Sequence, residues 1–466
     1  MNHPRWRFFL LALAAGLAAC TTLEEPAPTP PTLGITEADR FATATEGAPA
    51  PTDDDLHWWR RFNDPALAHW VERALANNPD IAIARERAVQ AQAFLRSARA
   101  QRSPLIGAQA GVDARSRRLA GERSVEPSAA LTLDWDLDLW GGLRQAEQSA
   151  AAALLQSEDR AQATRLSVAG LAARAFIEWQ EARLDEGLLT DALALQAEVM
   201  RLVQIRVDAG LSPRLDLDRA QAEAAGIEAD AADARVRVLQ AAAALQVLAG
   251  VRPQPMAPVA SDAQLPMLQG LQPVVRPIDL LRLRPDLRAA ERGLTVAAAE
   301  VGVARAALYP RLRLPGALTL TSGGLGGGVL DIVTATLSAV LDVTLFDGGE
   351  RSAGVDAARS RLREASEVYR QTLLQSLQQA EDALVAAQGT ATRTQALQRA
   401  QAASEAAVEQ ARTLYLNGLT GFLDVIEAQR SALDNSRSLL RARADAARQA
   451  VLGFEAMGLI APGSAA

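Results

Sequence analysis

The sequence predicts a mainly α-helical chain that carries four amphipathic β-strands and is built from two internal repeats. Three observations lead there. The stretch Asp208-Ala209-Gly210-Leu211-Ser212-Pro213-Arg214-Leu215-Asp216 returns as Leu416-Asn417-Gly418-Leu419-Thr420-Gly421-Phe422-Leu423-Asp424, 208 residues later (418 − 210). In each copy a glycine stops a long helical run and a Ser or Thr opens the next one, which reads as the tight turn of a helical hairpin. The composition agrees: 49% of residues are apolar but only 4% aromatic. A chain dominated by Ala, Leu, Arg, Glu and Gln favours long helices over a mixed domain. Finally, within each half the hydrophobic period switches from helical to two and back again.

At the N-terminus, Arg5 and Arg7 precede the apolar run Phe8 to Leu17. That run is too short to span a bilayer and reads as a signal peptide over residues 1–19. It closes on Leu17-Ala18-Ala19-Cys20, which resembles the bacterial lipobox, and Cys20 is the only cysteine. A single cysteine in an exported chain has no internal disulfide partner, so lipid attachment at Cys20 is expected, with no other cofactor. Pro26, Pro28, Pro30 and Pro31 make residues 20–55 an extended tether.

The first structural repeat is expected over 56–250. It opens on His57-Trp58-Trp59 and Asp64-Pro65, with a helix ending near Asn77. Asn78-Pro79-Asp80 restarts a helix: an N-cap, a proline at the first helical position and an acid in the first turn. Ser103-Pro104 closes it near Arg102. From Ala108 to Arg115, Ala108, Ala110, Val112 and Ala114 alternate with Gln109, Gly111, Asp113 and Arg115. A polar loop with Arg117, Arg118, Glu122, Arg123 and Pro127 follows. Next, Leu131, Leu133, Trp135, Leu137 and Leu139 alternate with Thr132, Asp134, Asp136 and Asp138. Two strands of ~10 residues, enough to cross a bilayer when tilted, are therefore expected. After Gly141-Gly142, the proline-free run Leu143 to Asp208 would extend ~100 Å as one helix. Its partner begins at Pro213 and reaches about Gly250. The proline-rich stretch 251–277 is the linker between halves.

The second repeat, 278–460, follows the same plan and leaves a short tail, 461–466. Arg284-Pro285-Asp286 answers Asn78-Pro79-Asp80, and Tyr309-Pro310 answers Ser103-Pro104, each 206 residues on (285 − 79; 310 − 104). Leu312, Leu314, Leu318 and Leu320, then Ala335 to Leu345, supply two more alternating strands around a glycine-rich loop, Gly323 to Gly328. No Gly-Lys-Ser/Thr follows those glycines, so they are not a phosphate loop. Phe346-Asp347-Gly348-Gly349 answers Leu139-Trp140-Gly141-Gly142. No proline occurs between Pro315 and Pro462.

Several function classes are disfavoured. The three histidines, His3, His57 and His69, form no metal-ligand cluster, and no nucleophile elbow or acid–base pair appears, so no enzyme is expected. Asp134, Asp136 and Asp138 lie on the polar face of a strand without the Gly and Glu of a calcium loop. A net charge of −7 and few aromatics argue against nucleic acid. Four strands cannot close a membrane barrel, since the smallest have about eight, and an open sheet has unpaired edges that lipid does not satisfy. Three chains would pool twelve, and long helices attached to such a barrel would form a conduit.

The paired turns, the Trp58-Trp59 and Asp64-Pro65 start, the Asn-Pro-Asp/Arg-Pro-Asp pair and Leu345-Phe346-Asp347-Gly348-Gly349 together resemble the outer-membrane efflux factors of TolC type, in the lipoprotein (OprM/NodT-like) branch. The resemblance runs from about Trp58 to about Gly458. It implies a homotrimer in the outer membrane of a Gram-negative bacterium, lipid-anchored through Cys20, with a twelve-stranded β-barrel continuous with a periplasmic α-helical barrel. It also implies an exit duct for drugs or other small molecules, docked to a periplasmic adaptor (membrane fusion) protein and an inner-membrane pump of the resistance-nodulation-division class. The alternatives are a type I secretion exit duct and a non-porous, lipid-anchored coiled-coil scaffold or adaptor. On the family pattern the turns form the periplasmic tip. Asp424 and Glu427, three apart on one helical face, would then ring the entrance, giving six carboxylates in a trimer and favouring cations. The simpler reading is that acids in a first turn favour the helix dipole. Arg214 is expected to pair across the tip with Asp424 or Asp216. Adaptor docking is expected around Gly210, Leu211 and Ser212 and around Gly418, Leu419 and Thr420.

Overall fold

The structure, a computed structural model, describes residues 31, 33–36, 38–44, 49–117, 122–256, 264–268, 274–321 and 332–461. The expected signal peptide, Cys20 and the glycine-rich loop at 323–328 lie outside the described residues. Two compact units make up the chain. One is built chiefly from Arg87–Glu158 and Ala289–Gln371, the other from Leu33–Glu86, Asp159–Arg288 and Thr372–Ala466.

The two halves follow the same plan, and their long helices match in length. The first half holds α1 (Pro65–Asn77), α2 (Pro79–Ala100), β1 (Leu105–Arg117), β2 (Glu122–Asp134), β3 (Asp136–Leu137), α3 (Gly142–Asp208) and α4 (Arg214–Leu248). The second holds α5 (Leu280–Leu283), α6 (Pro285–Ala306), β4 (Arg311–Arg313), β5 (Gly316–Thr321), β6 (Ile332–Leu337), β7 (Val340–Asp342), α7 (Glu350–Leu416) and α8 (Phe422–Ala456). α3 and α7 are each 67 residues long, α4 and α8 each 35, α2 and α6 each 22. Three pairs of equal length, in the same order, establish the internal repeat.

The strands of the first unit form two antiparallel sheets: β1-β2-β5-β6, and a smaller β3-β4-β7. In the larger sheet the register sorts side chains by polarity, because directly paired residues point to the same side. Ile106, Leu133, Gly316 and Leu337 form one row, Ala108, Leu131, Leu318 and Ala335 the next, and Ala110, Ala129, Leu320 and Val333 a third. The opposite face carries Gly107, Thr132, Ala317 and Thr336, then Gln109, Ala130, Thr319 and Thr334. Ile106, Val112, Leu131, Val333 and Leu337 are exposed, so the apolar face is uncovered in one chain. β1 and β6 are the sheet's edges.

Several strand boundaries differ from the sequence expectation. Much of the stretch read as a polar loop after Arg115 is strand: β1 runs to Arg117 and β2 begins at Glu122. Pro127 concealed this. It sits opposite Val112, one residue before β2 gains its second neighbour at Ser128, so its missing N–H costs no bond to β5. The single strand expected over 131–139 is also broken, at Trp135. β2 ends at Asp134, and Asp136–Leu137 pairs with β4 in the other sheet. Trp135 is held at the break by two bonds: its indole N–H donates to the Arg102 carbonyl (3.1 Å) and its own carbonyl accepts from Leu314 (2.8 Å). The expected run 335–345 divides likewise into β6 and β7, with Ser338 N–H bonded to the Pro315 carbonyl (3.0 Å).

In the second unit, the duplicated Pro-Asp motifs clamp the end of each return helix. Asn78 is buried; its side-chain oxygen accepts from Asp80 N–H (2.8 Å), capping α2, while its amide donates to the Leu248 carbonyl (2.9 Å) at the end of α4. In the second repeat the buried Arg284 donates to the Ala456 carbonyl (2.8 Å) at the end of α8. Orphan carbonyls at helix C-termini need such donors. The aligned positions differ in residue type and share the task. Trp58, fully buried and stacked on Phe454 (5.4 Å), packs against the same end of α8.

Each return helix ends on a left-handed glycine at this junction. Gly250 has φ +66°, and a Cβ placed there would lie 2.3 Å from the Asn77 carbonyl oxygen. Gly250→Ala therefore combines an αL penalty with a backbone clash, and is expected to destabilise by about 2–3 kcal/mol. Gly210→Ala has similar φ but open space around it and should lose only about 1 kcal/mol. Thermal unfolding of the two variants in detergent checks this; equal melting temperatures would contradict the clash.

Candidate functional site at the hairpin turns

Both turns are built by the same cap. Leu211 N–H bonds to the Arg206 carbonyl (2.8 Å) and Gly210 N–H to that of Val207 (2.9 Å). In the second turn Leu419 bonds to Leu414 (2.9 Å) and Gly418 to Tyr415 (3.0 Å). This is the Schellman arrangement, with the glycines at φ +73° and +74°. It leaves Leu211 and Leu419 at the apex, 67% and 74% exposed. Two large apolar side chains held out on rigid turns are suited to contact another protein.

Beneath the apex the two hairpins share a small core of Val199, Val203, Leu217, Ala220, Tyr415, Phe422, Val425 and Ile426. The Tyr415 and Phe422 rings lie 5.5 Å apart. A polar latch crosses between hairpins at the same level. The Tyr415 hydroxyl is 3.3 Å from the Ser212 hydroxyl, Arg206 Nε donates to that hydroxyl (3.4 Å), and the Arg206 guanidinium lies over the Tyr415 ring at 4.7 Å. Arg412 and Glu198 add an ion pair (3.0 Å).

Ser212 and Thr420 thus do not cap the helices, contrary to the sequence expectation. The helices begin later, with N-caps at Pro213 and Gly421, and the two hydroxyls are spent elsewhere. Thr420 donates its hydroxyl to Asp424, which also accepts Gly421 N–H (3.3 Å). Asp424 therefore caps α8, and it remains exposed together with Glu427 one turn on. The Glu427 charge reaches Arg430, whose pKa is raised chiefly by its hydrogen bond to Glu223 (2.6 Å). Asp216, aligned with Asp424, is buried instead. Arg214 does not meet Asp216 or Asp424 within the chain. Standing at the first position of α4, 82% exposed, it reaches the acid one turn along, Asp218 (3.9 Å). Sequence reasoning passed over Arg206, Tyr415 and Phe422. The one available signal was Tyr415 itself, one of three tyrosines, three residues before a turn glycine.

Farther from the turns, ion pairs bind the hairpins together. Asp185 on α3 is buried, and accepts from Arg437 on α8 (2.7 and 3.1 Å) and Arg237 on α4 (2.7 Å). Arg437 also donates to Asp230 on α4 (2.9 Å). Burial alone would raise the Asp185 pKa, but the hydrogen bonds and charges of Arg437 and Arg237 outweigh it and hold the carboxyl below its ordinary value. No helix among the described residues is long and apolar enough to cross a membrane.

This architecture has relatives. Residues 70–251 and 277–452 match the family model described as outer membrane efflux protein. The chain is 31% identical to the pyoverdine export outer membrane protein OpmQ of Pseudomonas putida, covering 98% of each. It is 30% identical to the outer membrane protein OprJ of Pseudomonas aeruginosa, over 93% of this chain and 92% of that one. Among solved structures, the outer-membrane channel OprN superposes with a TM-score of 0.84 at 27% identity, over 94% of this chain and 98% of that one. The duplicated helices, the sheet polarity and the paired turns thus have one explanation: the chain belongs to the outer membrane efflux protein family, and it is an outer-membrane efflux channel.

Proposed function

We propose that three copies of the chain form the exit duct of a tripartite efflux system, each contributing four strands to a twelve-stranded barrel. The observation that carries this reading is the β1-β2-β5-β6 sheet, with an uncovered apolar face, a Thr- and Gln-bearing face and two open edges. An open edge is not tolerated in hydrocarbon, so the β1 edge of one copy pairs with the β6 edge of the next, apolar rows to the lipid. A lipid on Cys20 adds an anchor. The turns form the periplasmic mouth, with Asp424 and Glu427 of three copies giving six carboxylates that attract cations. Leu211 and Leu419, with Gly210, Ser212, Gly418 and Thr420, meet a periplasmic adaptor, which connects the duct to an inner-membrane pump of the resistance-nodulation-division class. Drugs or other small molecules leave by this route, and the choice of cargo belongs to the pump. Arg214, exposed and unmatched to Asp216 or Asp424 within one chain, pairs across the tip with the exposed Asp424 of a neighbouring copy and helps hold the mouth closed, whereas the buried Asp216 is not available to it.

Single-channel recording in planar bilayers, with wild type beside Asp424→Ala/Glu427→Ala, tests the reading. Small cation-selective steps that lose their selectivity in the variant are expected. Unchanged selectivity would return both acids to helix capping. No steps from a folded trimer would overturn the duct.

A further inference from the structure

One strand of the first repeat has no twin in the second. Among the described residues β3 pairs only with β4, which belongs to the other repeat: Asp136 lies opposite Arg313 and Leu137 opposite Leu312. The counterparts of β3, 208 residues on (344 − 136), are Thr344 and Leu345, and they lie in no strand. What differs is the neighbour. The counterpart of β4 is the start of β1, which is paired with β2 on one side and is a sheet edge on the other. The offsets hold within the sheets themselves. Leu105 pairs with Asp134 as Arg311 pairs with Asp342, 206 and 208 residues on (311 − 105; 342 − 134). Leu345 and Phe346, 94% and 90% exposed, are the most exposed large apolar side chains among the described residues. Leu105 and Ile106 at the start of β1 are exposed as well.

We infer that Val343–Phe346 is a docking strand that forms on the β1 edge of a neighbouring copy, in the one register that sets Leu345 opposite Ile106 and Phe346 opposite Leu105. Moving the β3–β4 pairs by the same offsets gives this register. Asp136–Arg313 becomes Thr344–Gly107, and Leu137–Leu312 becomes Leu345–Ile106 (313 − 206; 312 − 206). Carried along the strands, Val343 meets Ala108 and Leu341 meets Ala110. Polarity, which played no part in that step, agrees. Leu341, Val343 and Leu345 fall on the row of Ile106, Ala108 and Ala110, which the larger sheet keeps apolar. Asp342 and Thr344 meet Gln109 and Gly107 on the polar face. A slip of one residue would set Val343 against Gly107 or Gln109 and reverse every side chain. The inference rests on the trimeric duct and adds to it the contact by which one copy recognises the next. Apolar side chains that a lone chain leaves in water are covered, and backbone groups of 343–346 gain a strand to pair with.

Disulfide trapping in the full chain tests the register. Opposed residues on antiparallel strands alternate between closer and wider pairs, so two adjacent pairs are used, Leu345→Cys/Ile106→Cys and Phe346→Cys/Leu105→Cys. Using both also covers the case in which one variant fails to fold. Leu345→Cys/Ala108→Cys represents the same strand slipped by two residues. After oxidation with copper phenanthroline, at least one of the first two variants is expected to give covalent dimers and trimers on a denaturing, non-reducing gel. Their yield should exceed that of the slipped pair roughly fivefold, because a diagonal pair lies beyond disulfide reach. Each single-cysteine variant gives the background, including whatever Cys20 contributes. Light scattering of the unoxidised protein counts the copies. A trimer in which neither pair crosslinks would assign Leu345 and Phe346 to lipid, overturning the contact and leaving the duct standing. Equal crosslinking of the slipped pair would overturn the register. A monomeric protein would overturn the contact and the duct together.

Discussion

Replacing Arg437 with methionine is expected to destabilise the protein by about 3 kcal/mol, because it leaves a buried carboxylate short of its main partner. Arg437 reaches from α8 into the first hairpin and binds Asp185 on α3 and Asp230 on α4 together. Its side chain is 14% exposed and that of Asp185 only 9%, so solvent replaces little of what is lost. The aliphatic chain of methionine keeps most of the packing and isolates the charge. The effect should depend on pH in a defined direction. The Asp185 pKa is lowered in the folded state, so its contribution is complete above the ordinary aspartate value of ~3.9 and disappears as pH falls through the lowered folded value. Thermal unfolding in detergent at neutral pH should separate wild type from Arg437→Met widely. The gap should narrow below about pH 4. A gap that stayed constant down to pH 2 would mean the loss comes from packing and not from the ion pair.

Tyr415→Ala is expected to open the resting channel. The substitution removes the contact with Phe422, the cation–π contact with Arg206 and the hydroxyl beside Ser212. Truncating a buried aromatic costs ~3 kcal/mol, and where the mouth opens by parting this core that loss shifts the balance roughly a hundredfold toward the open form. Tyr415→Phe keeps the ring and loses only the hydroxyl, about 1 kcal/mol. Larger resting conductance should therefore appear in planar bilayers in the order Ala, then Phe, then wild type. If Tyr415→Ala, folded and trimeric, conducted like wild type, the core beneath the apex would not be what holds the mouth closed.

Much of this was readable from the chain because it depends on local chemistry. Gly210 and Gly418 stop helices wherever they stand, and Asn78-Pro79-Asp80 starts one. The absence of proline from Leu143 to Asp208 allowed one unbroken helix, and one was found. Strand limits were less legible, since Pro127 and its charged neighbours look like a loop until the neighbouring strand is known to begin at Ser128. The latch was invisible for a different reason: Ser212 and Tyr415 are 203 residues apart and belong to different repeats. Aligning the repeats even misleads there. Asp216 and Asp424 match in the alignment, yet one is buried and the other exposed, because the two hairpins present different sides to each other.

The helix-end clamps at Asn78 and Arg284 bear on the history of the chain. Asn78 binds Leu248, and Arg284 binds Ala456, so each half fastens its own beginning to its own end. A module closed in this way can be copied in tandem without leaving a dangling terminus, and the segment between copies has only to span a short gap. A single-module ancestor would have needed six subunits to build the ring that three of these chains complete. In a ring of three such chains the corresponding positions of the two halves need not be identical, as Asn78 and Arg284 show in residue type and Asp216 and Asp424 in exposure, so alternate teeth of the ring can carry different instructions.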